Sequence, residues 1–584
     1  MLRSDFNWGR ANRPRHWPAM LLALVGASAC GRTSDSHGGH TNAAGDTGAG
    51  DAGASSFAGA PSSGASGAGP GGASSEIAGA ASCAPPPAPL RRLSRFEYNN
   101  TVRDLLGDSS EPGNALPVEK TTSYFDFDNA VASQSPTAEA VAIYLSIGKE
   151  VARRATSASA FASLLPCAAD VTAATAPDCA RTFVESFAPR AFRRALDSAE
   201  LAELTDLHAS ITKRGGSFAE ATAAVIAAVL SAPDFLYRVE LGVPDPASVS
   251  ALRPSGDEMA ARLSYLFWGR PPDSALRDAA ARGELFTASG VLAQAKRLLA
   301  DQRSHAVVAI FFDQLLALGE LGKLHRSDAA YTPALGRTLR AATQRFFEYE
   351  IFEQGASWPA IWKARDAFAN AQLGPLYYGV SDLSGEALQK ITPDPAQRLG
   401  FLTDPGVLIG VDPNDQGNPD QRGALVLNRL LCTGLPSHPP QATPQPTGLT
   451  ARERWSAVSN SPACAACHRE LDAVGLALER YDSMGRYRTL ENGQPIETRS
   501  ELPSLGVVDD AIELTKALSS DSRTLTCFVQ RWLEFSSGRK LGNTPEDQCV
   551  TRSVNAAFVA SGYDVQQLLL ALTQTDAFLF LSKE

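Results

Sequence analysis

The 584-residue sequence lacks the signatures of several common enzyme classes. It contains no Walker phosphate loop, no G-x-S-x-G nucleophile elbow and no H-E-x-x-H pair, which disfavours a conventional NTPase, serine hydrolase or zinc protease. Runs of basic residues are also absent and the net charge is -10, so nucleic-acid binding is not expected. Beyond the N-terminal region no stretch of about 18 or more apolar residues occurs, and no transmembrane helix is predicted.

The N-terminal region is typical of a secretory signal peptide, which we place at residues 1–29. Arginines at the start are followed by an apolar run, residues 19–29, that is too short to span a membrane. The run ends in Ala-Ser-Ala before Cys30, which resembles a bacterial lipobox, although alanine stands where leucine is usual. We expect Cys30 to be the lipidated N-terminus of the mature chain. In the alternative, an ordinary signal peptide is cleaved nearby and Cys30 is incidental.

A stretch rich in Gly, Ala and Ser follows the signal peptide, and we assign residues 30–85 to the lipidated N-terminus and a disordered linker. Such a composition buries too little apolar surface to fold, and it behaves as a flexible tether. About 500 residues remain, which is enough for several domains. The overall content of 44% hydrophobic and 20% charged residues is ordinary for a globular protein.

The nine cysteines suit an exported chain. Six remain once Cys30 and the pair in a later C-x-x-C motif are set aside, and an even number is expected of disulfides in an oxidising compartment. Proximity along the chain suggests that the disulfides join Cys167 to Cys179, Cys527 to Cys549 and, by elimination, Cys83 to Cys432. The sequence alone allows other pairings of these six, so the connectivity stays open.

The most specific chemical signal is the run Cys464-Ala465-Ala466-Cys467-His468. C-x-x-C-H is the attachment signature of c-type haem, in which two thiols bond to the vinyl groups and the adjacent histidine ligates the iron. A redox disulfide or half of a zinc site also uses C-x-x-C, but no second ligand pair follows and the flanks are helical in pattern. We therefore expect one covalent haem c, held by Cys464, Cys467 and His468.

The sixth ligand of the haem iron is left open by the sequence. Methionine is scarce, with four residues in the chain, and Met484 lies shortly after His468. Methionine ligation favours a raised potential and electron transfer, whereas an open position permits ligand or peroxide chemistry. In the alternative, Met484 is a loop or core residue. Weaker ligand candidates are Met259, His208, His305, His325 and His438.

Charged residues after the motif are candidates for the haem surroundings. Arg486 and Arg488 lie on one face of a predicted strand, and guanidinium groups match the geometry of haem propionates. In the alternative, both belong to a hairpin that faces solvent. Asp472 and Glu479 are candidates to orient the haem ligands, although Asp472 also suits a helix cap.

Apolar residues recur at helical spacing through most of the chain. Ser94 and Glu97 predict a capping box for a helix that ends at Gly107, and Pro189 is expected to break a later helix. The Asn-Gly pair at 492–493 predicts the turn of a β-hairpin. We therefore expect a mainly α fold of several helical domains in one chain, with a small c-type haem module and a short β-hairpin.

Four segments occur in an order that resembles a known family. They are LRRLSRFEYNNTVRDLLGD, FAPRAFRRALDSAELAEL, SAPDFLYRVE and CAACHRELDAVGLALERYDSMGRYR. They are similar to the planctomycete-type cytochrome C multidomain proteins, which combine domains of unknown function 1587, 1595, 1592, 1588 and 1585. The resemblance implies, in that order, helical domains at 86–155, 176–240 and 250–380, a haem module at 393–500 and a C-terminal helical domain at 506–582.

The family pattern carries over onto most of the haem module. The matching positions are Cys464, Cys467, His468, Asp472, Gly475, Ala477, Leu478, Glu479, Asp482, Gly485, Arg486 and Arg488. Ala473 stands where the family usually has proline after the aspartate, which loosens the turn without removing a ligand. Residues 418–423 stand where a Thr-Ser-Pro element usually precedes the Arg-Gly pair.

Export and the haem motif together predict electron transfer with a redox partner protein at the cell envelope. Lipid at Cys30 would be the only attachment to a membrane, on the periplasmic or outer-membrane surface. One alternative is a haem oxidoreductase that acts directly on a small substrate, so enzymatic activity is left open. A second is a non-enzymatic scaffold or binding lipoprotein in which the C-x-x-C pair is a structural disulfide.

Overall fold

The computed structural model describes most of the chain beyond residue 82. The described residues are 83–85, 89–117, 127–131, 134, 137–165, 167, 171–172, 174–245, 248–412, 417–434, 450–460 and 465–582. The predicted signal peptide, the lipidation site at Cys30 and most of the linker lie outside them, as do Cys464 and His438. By their contacts the described residues belong to one unit, 79–584, and the domain boundaries predicted within it stay a prediction.

Capping residues set the ends of the helices in the N-terminal part. Helix α1 (Arg95–Leu106) begins with the predicted capping box, in which the backbone N–H groups of Glu97 and Ser94 donate to each other's side chains. Gly107, at φ 71°, ends the helix in the left-handed conformation that glycine tolerates. The helices that follow are α2 (Ala138–Ala155), α3 (Ala158–Leu164), α4 (Ala176–Phe192), α5 (Ser198–Lys213), α6 (Phe218–Ser231) and α7 (Pro233–Leu236), with a 3-10 turn at Pro112–Ala115.

The prediction that Pro189 breaks a helix is wrong. Pro189 lies inside α4, and the helix continues beyond it to Phe192. Apolar residues on both sides of the proline, among them Val184, Phe187 and Ala191, are buried. Packing of this face therefore holds the helix through a residue that lacks a backbone N–H.

The rest of the described chain is also mainly helical. The helices are α8 (Gly256–Trp268), α9 (Ser274–Ala281), α10 (Ala288–Leu299), α11 (Arg303–Leu315), α12 (Pro333–Glu348), α13 (Trp358–Ile361), α14 (Pro405–Gly410), α15 (Pro419–Ala424), α16 (Ala451–Ser459), α17 (Ala465–Ala477), α18 (Ala511–Ser519), α19 (Ser522–Ser537), α20 (Pro545–Ala560), α21 (Val565–Leu572) and α22 (Asp576–Leu579). Short 3-10 turns lie at Glu284–Phe286, Leu318–Glu320 and Phe401–Thr403, and π-helical turns at Tyr349–Glu353, Gly374–Tyr378 and Leu425–Leu430.

The strands of the described chain are short, and all pair antiparallel. They are β1 (Arg91–Arg92), β2 (Tyr237–Arg238), β3 (Val243–Asp245), β4 (Ser248–Arg253), β5 (Ala367–Ala369), β6 (Gln389–Ile391), β7 (Leu490–Glu491), β8 (Gln494–Pro495), β9 (Ser500–Leu502), β10 (Gly506–Val508) and β11 (Leu581–Ser582). β1 pairs with β2, with Arg91 opposite Arg238, and β11 joins β4 and β3 in a three-stranded sheet. These strand pairs therefore connect segments that are far apart in the chain.

A shared aromatic core joins the middle part of the chain to its C-terminal helices. The ring of Phe311 on α11 stacks on Trp532 of α19 at 3.7 Å between centroids. Trp358 stacks on Phe528 of the same helix at 3.8 Å. All four side chains are almost completely buried. Burial of rings this large contributes strongly to stability, so we expect these two parts to unfold together.

All six remaining cysteines form disulfides, but only part of the predicted pairing is correct. The disulfides join Cys83 to Cys549, Cys167 to Cys179 and Cys432 to Cys527. The Cys167–Cys179 prediction is confirmed, whereas Cys527–Cys549 and Cys83–Cys432 are wrong. The reason is tertiary: α19 packs on the turn Leu425–Leu430, which brings Cys527 to Cys432, and Cys549 on α20 meets the N-terminal segment.

The hairpin of strands β7 and β8 follows the predicted turn. β7 and β8 pair across Asn492 and Gly493, both at positive φ, as a type I′ turn requires. The predicted fold class, mainly α with a short β-hairpin, is confirmed. Within the described residues no helix has the length and apolar character needed to cross a membrane.

Candidate haem-attachment site

Helix α17 carries the C-x-x-C-H motif at its N-terminal end. It begins at Ala465, directly after Cys464, so Cys467 and His468 belong to its first turn. Cys464 itself and the side chain of Cys467 lie outside what the structure describes. The described part of the site therefore consists of His468 and the residues that surround it.

His468 is held by a carboxylate one helical turn further along α17. Its Nδ1 lies 3.0 Å from Oδ1 of Asp472, and both side chains are buried. The hydroxyl of Ser459, on α16, donates to Oδ2 of the same carboxylate at 2.6 Å. A carboxylate accepts hydrogen bonds, so Nδ1 carries the proton and Nε2 is the nitrogen suited to ligate a metal.

The charge state of Asp472 reflects two opposing effects. Burial raises the pKa of Asp472, while the hydrogen bonds from Ser459 and His468 oppose the rise. The side chain is 1% exposed, so water contributes little to its solvation. Its hydrogen bonds therefore supply the main stabilisation of its charged form.

The indole ring of Trp455, on α16, lies beside the imidazole ring of His468. The two rings stack at 5.9 Å between centroids, with 23° between their planes. Trp455 belongs to a small apolar cluster with Val458 and Leu476, separate from the main core. Sequence reasoning missed Trp455 and Ser459, which lie four residues apart and therefore on one face of the helix before the motif.

Two glycines let α15 cross α17 with their backbones in contact. A Cβ on Gly475 would lie 1.8 Å from the carbonyl oxygen of Pro419. A Cβ on Gly423 would lie 2.0 Å from the carbonyl oxygen of Leu471. No side chain larger than hydrogen fits either position without moving backbone, so the crossing fixes where α17 lies.

Arg422, next to Gly423 in α15, binds the chain that follows α17. The side chain is 1% exposed and donates to three carbonyl oxygens, those of Leu478 (3.2 Å), Tyr481 (2.7 Å) and Asp482 (2.8 Å). Its guanidinium also lies 3.8 Å from the buried carboxylate of Asp412. Arg422 thus fixes the chain directly after α17 through its carbonyl oxygens.

The two arginines predicted to meet the haem propionates are paired with carboxylates of the protein. Arg486 donates from Nε to Asp482 at 2.8 Å and lies 2.9 Å from Asp328. Arg488 pairs with Glu479 and lies 3.8 Å from Glu491. Both arginines already have anionic partners, and their role towards propionates stays a prediction.

Glu479 lies in a buried ionic cluster that joins the hairpin to α16. Burial raises the pKa of Glu479 to about 7, although Arg422 and Arg488 oppose the rise. In the same cluster Glu491 accepts a hydrogen bond from the backbone N–H of Ala451 at 2.7 Å, at the start of α16. These contacts position the helix that carries Trp455.

Met484, the first candidate for the sixth ligand, is a buried core residue. Met484 is buried in the main core with Val474 and Tyr481, whereas His468 packs on Trp455. Val474 and His468 occupy different faces of α17, since helix faces repeat every three to four residues. Met484 as the sixth ligand stays a prediction.

Three of the other ligand candidates, His208, His305 and Met259, make contacts elsewhere in the described chain. His208 packs against the ring of Phe218, and Nδ1 of His305 lies 2.8 Å from Glu348. Met259 is part of the main core, and His325 is exposed. The sixth ligand of a bound haem stays open.

The described residues fit a covalently attached haem. His468 is buried and presented from the first turn of a helix, directly after the two cysteines of the motif. Its hydrogen bond to Asp472 fixes the orientation of the ring, as is usual for histidines that ligate metals. The ring of Trp455 shields one side from water.

Five models of protein families match the chain in succession, each described as a protein of unknown function. They cover residues 91–157 (DUF1587), 179–240 (DUF1595), 255–380 (DUF1592), 398–491 (DUF1588) and 506–578 (DUF1585). These are cytochrome C-type domains, and the His468 site falls within the fourth. The chain belongs to the planctomycete-type cytochrome C multidomain family. No curated protein and no solved structure matches the sequence significantly.

Proposed function

We propose that this protein is an extracytoplasmic c-type haem lipoprotein that passes electrons to or from a partner oxidoreductase at the cell envelope. The observation that carries the proposal is the His468–Asp472–Ser459 chain of hydrogen bonds, in which His468 directly follows the C-x-x-C pair. The proposal places the thioether bonds at Cys464 and Cys467 and lipid at Cys30. The even set of disulfide-bonded cysteines supports an oxidising compartment.

A haem at this site would supply a one-electron couple, tuned by its axial ligands and their hydrogen bonds. The protein's own part is to position His468 and to control its basicity. Asp472 does both, because it fixes the tautomer through Nδ1 and places a negative charge beside the ring. Trp455 limits access of water on one side.

Production with a haem-attachment system tests the proposal directly. We expect a c-type reduced-minus-oxidised spectrum and a mass increase of one haem that survives denaturation. The double substitution Cys464→Ser, Cys467→Ser should abolish both signals, since the thiolates form the covalent bonds. The matched control Cys167→Ser, Cys179→Ser removes a disulfide elsewhere and should keep the haem. Absence of covalent haem in the unaltered protein would refute the proposal and favour a scaffold with a structural C-x-x-C disulfide.

Binding of carbon monoxide, measured on the same preparation, distinguishes an electron-transfer protein from an enzyme that reacts with its substrate at the iron. A reduced haem that does not bind carbon monoxide supports electron transfer through a six-coordinate iron. Binding would favour a haem oxidoreductase that acts on a small substrate. The substitution Met484→Ala should alter the spectrum if Met484 is the sixth ligand, and an unchanged spectrum excludes it.

We expect Asp472→Asn to raise the midpoint potential of the haem. An amide is a weaker hydrogen-bond acceptor than a carboxylate, so His468 becomes less electron-donating and the oxidised iron is less stabilised. Ser459→Ala is the matched control, because it removes a hydrogen bond to the carboxylate but keeps the charge. It should shift the potential much less. Potentiometric titration of the three proteins measures the effect, and a fall in potential for Asp472→Asn contradicts this role.

A further inference from the structure

A cavity of about 130 Å³ lies among elements from three distant parts of the chain. Its lining comes from residues 89–129, 238–310 and 533–578, so no part of the haem module contributes to it. A cavity of about 150 Å³ is large enough to hold a benzene molecule. The space therefore suits a small organic molecule rather than a macromolecule.

Two arginines in the lining face each other across a pair of strands. Arg91 on β1 and Arg238 on β2 are directly opposite in the register, and both line the cavity. Like charges at directly opposed positions of an antiparallel pair repel each other. Burial, together with the charge of Arg238, lowers the pKa of Arg91 to about 9. Two mutually repelling cations, the buried Arg238 and the half-buried Arg91, thus lie beside one cavity.

The two carboxylates closest to these guanidinium groups, Glu97 and Glu240, already have other partners. Three guanidinium groups, with Arg262 as the third, and two carboxylates interact here. Glu240 is fully engaged by Arg262, with both oxygens bonded at 2.8 and 2.6 Å. Glu97 accepts the backbone N–H of Ser94 and stays 3.9 Å from Arg238, beyond hydrogen-bond distance.

Arg238 is therefore left with an incomplete set of partners. It is 8% exposed, and its Nε has no hydrogen-bond partner among the residues that the structure describes. Burial of a charged group without full hydrogen bonding is costly, and an anion that binds there would offset the cost. This buried guanidinium and its opposed partner point to a negatively charged ligand.

The rest of the lining restricts the class of anion. Much of it is apolar or aromatic, including Phe96, Leu266, Val307, Ile310 and Phe535. A second ion pair in the lining, Arg539 with Asp547, is neutral as a whole. Asp128 is the remaining charged residue, and with it the carboxylates of the lining equal its arginines in number, which disfavours ligands of more than one negative charge.

We propose that this cavity binds a small organic monocarboxylate, with its carboxylate at Arg91 and Arg238 and its apolar body against the aromatic and aliphatic lining. Arginine binds carboxylates with two parallel hydrogen bonds, which lysine cannot do. The site is separate from the haem module and does not depend on the electron-transfer proposal.

Isothermal titration calorimetry on the full-length holoprotein tests the site with benzoate and hexanoate as probes. We expect saturable binding of both, and at least tenfold weaker binding of benzamide and hexanamide, which keep the shape but lose the charge. Inorganic phosphate should bind weakly, because it has no apolar body. Absence of saturable binding by both carboxylates overturns the proposal, and so does equal binding of the amides or tighter binding of phosphate.

Substitution of the two arginines tests whether the probes bind in this cavity. Arg238→Gln and, on the opposite strand, Arg91→Gln should each weaken benzoate binding at least tenfold. Arg282→Gln is the matched control, because Arg282 is exposed and lies outside the lining. A melting curve verifies that each variant is folded. Binding that survives both cavity substitutions refutes the site, and a change in the haem spectrum on adding benzoate would place the probe at the iron instead.

Discussion

Gly475→Ala should destabilise the protein by about 3 kcal/mol or more, at the upper end of what overpacking costs. The added methyl carbon would lie 1.8 Å from the carbonyl oxygen of Pro419, so one of the two helices must move. The clashing atom belongs to the backbone, so no change of side-chain rotamer can relieve the contact. Relief requires α15 and α17 to separate, which also disturbs Gly423 at the same crossing. We expect α17, and with it His468, to lose its fixed position.

Urea denaturation of the purified variant measures this cost, and the yield of covalent haem gives an independent readout. Gly542→Ala is the matched control, because a Cβ there would lie 3.6 Å from its nearest neighbour, an ordinary contact. It should change the free energy of unfolding by less than about 0.5 kcal/mol. A Gly475→Ala protein with the stability of the Gly542→Ala control would show that the helices do not cross as described.

Features of the fold that depend on neighbouring residues could be predicted from the sequence. The capping box of Ser94 and Glu97 and the hairpin turn at Asn492 and Gly493 are examples, because each is determined within a few residues. The Cys167–Cys179 disulfide follows the same rule, with a separation of 12 residues.

Features that depend on tertiary packing could not be predicted in this way. The two remaining disulfides span 466 and 95 residues, and proximity along the chain carries no information about such pairs. Pro189 stays inside a helix because buried neighbours outweigh its local preference. In the haem site, the motif identifies His468, but Trp455 and Ser459 become its neighbours only when α16 packs on α17.

The site therefore combines a local motif with a support built from separate segments. Asp472 is available to His468 from the helical spacing alone, since residues four apart share a face. Its second oxygen is bonded by Ser459 of α16, whose start is in turn bonded by Glu491 of the hairpin. Because these contacts are connected, the position of His468 depends on α16 and the hairpin as well as on α17.

The same dependence predicts a large effect at Arg422, the residue that holds the chain after α17. Arg422→Met should cost about 3–5 kcal/mol, because three carbonyl oxygens and the buried carboxylate of Asp412 lose the guanidinium that lies beside them. Methionine keeps much of the length and apolar stem of arginine, so loss of packing contributes little.

The substitution Arg422→Lys tests whether the charge of Arg422 or the geometry of its hydrogen bonds stabilises the fold. A lysine keeps the positive charge near Asp412, but a single ammonium cannot reproduce the planar fork that spans the carbonyls of Leu478, Tyr481 and Asp482. We expect Arg422→Lys to lose about half as much stability as Arg422→Met, and Arg282→Met, at an exposed position, to lose less than about 0.5 kcal/mol. Urea denaturation ranks the three variants, and hydrogen exchange should show the largest loss of protection at the C-terminal end of α17. If Arg422→Lys were as stable as the unaltered protein, the charge alone would suffice and the hydrogen bonds to the carbonyls would contribute nothing.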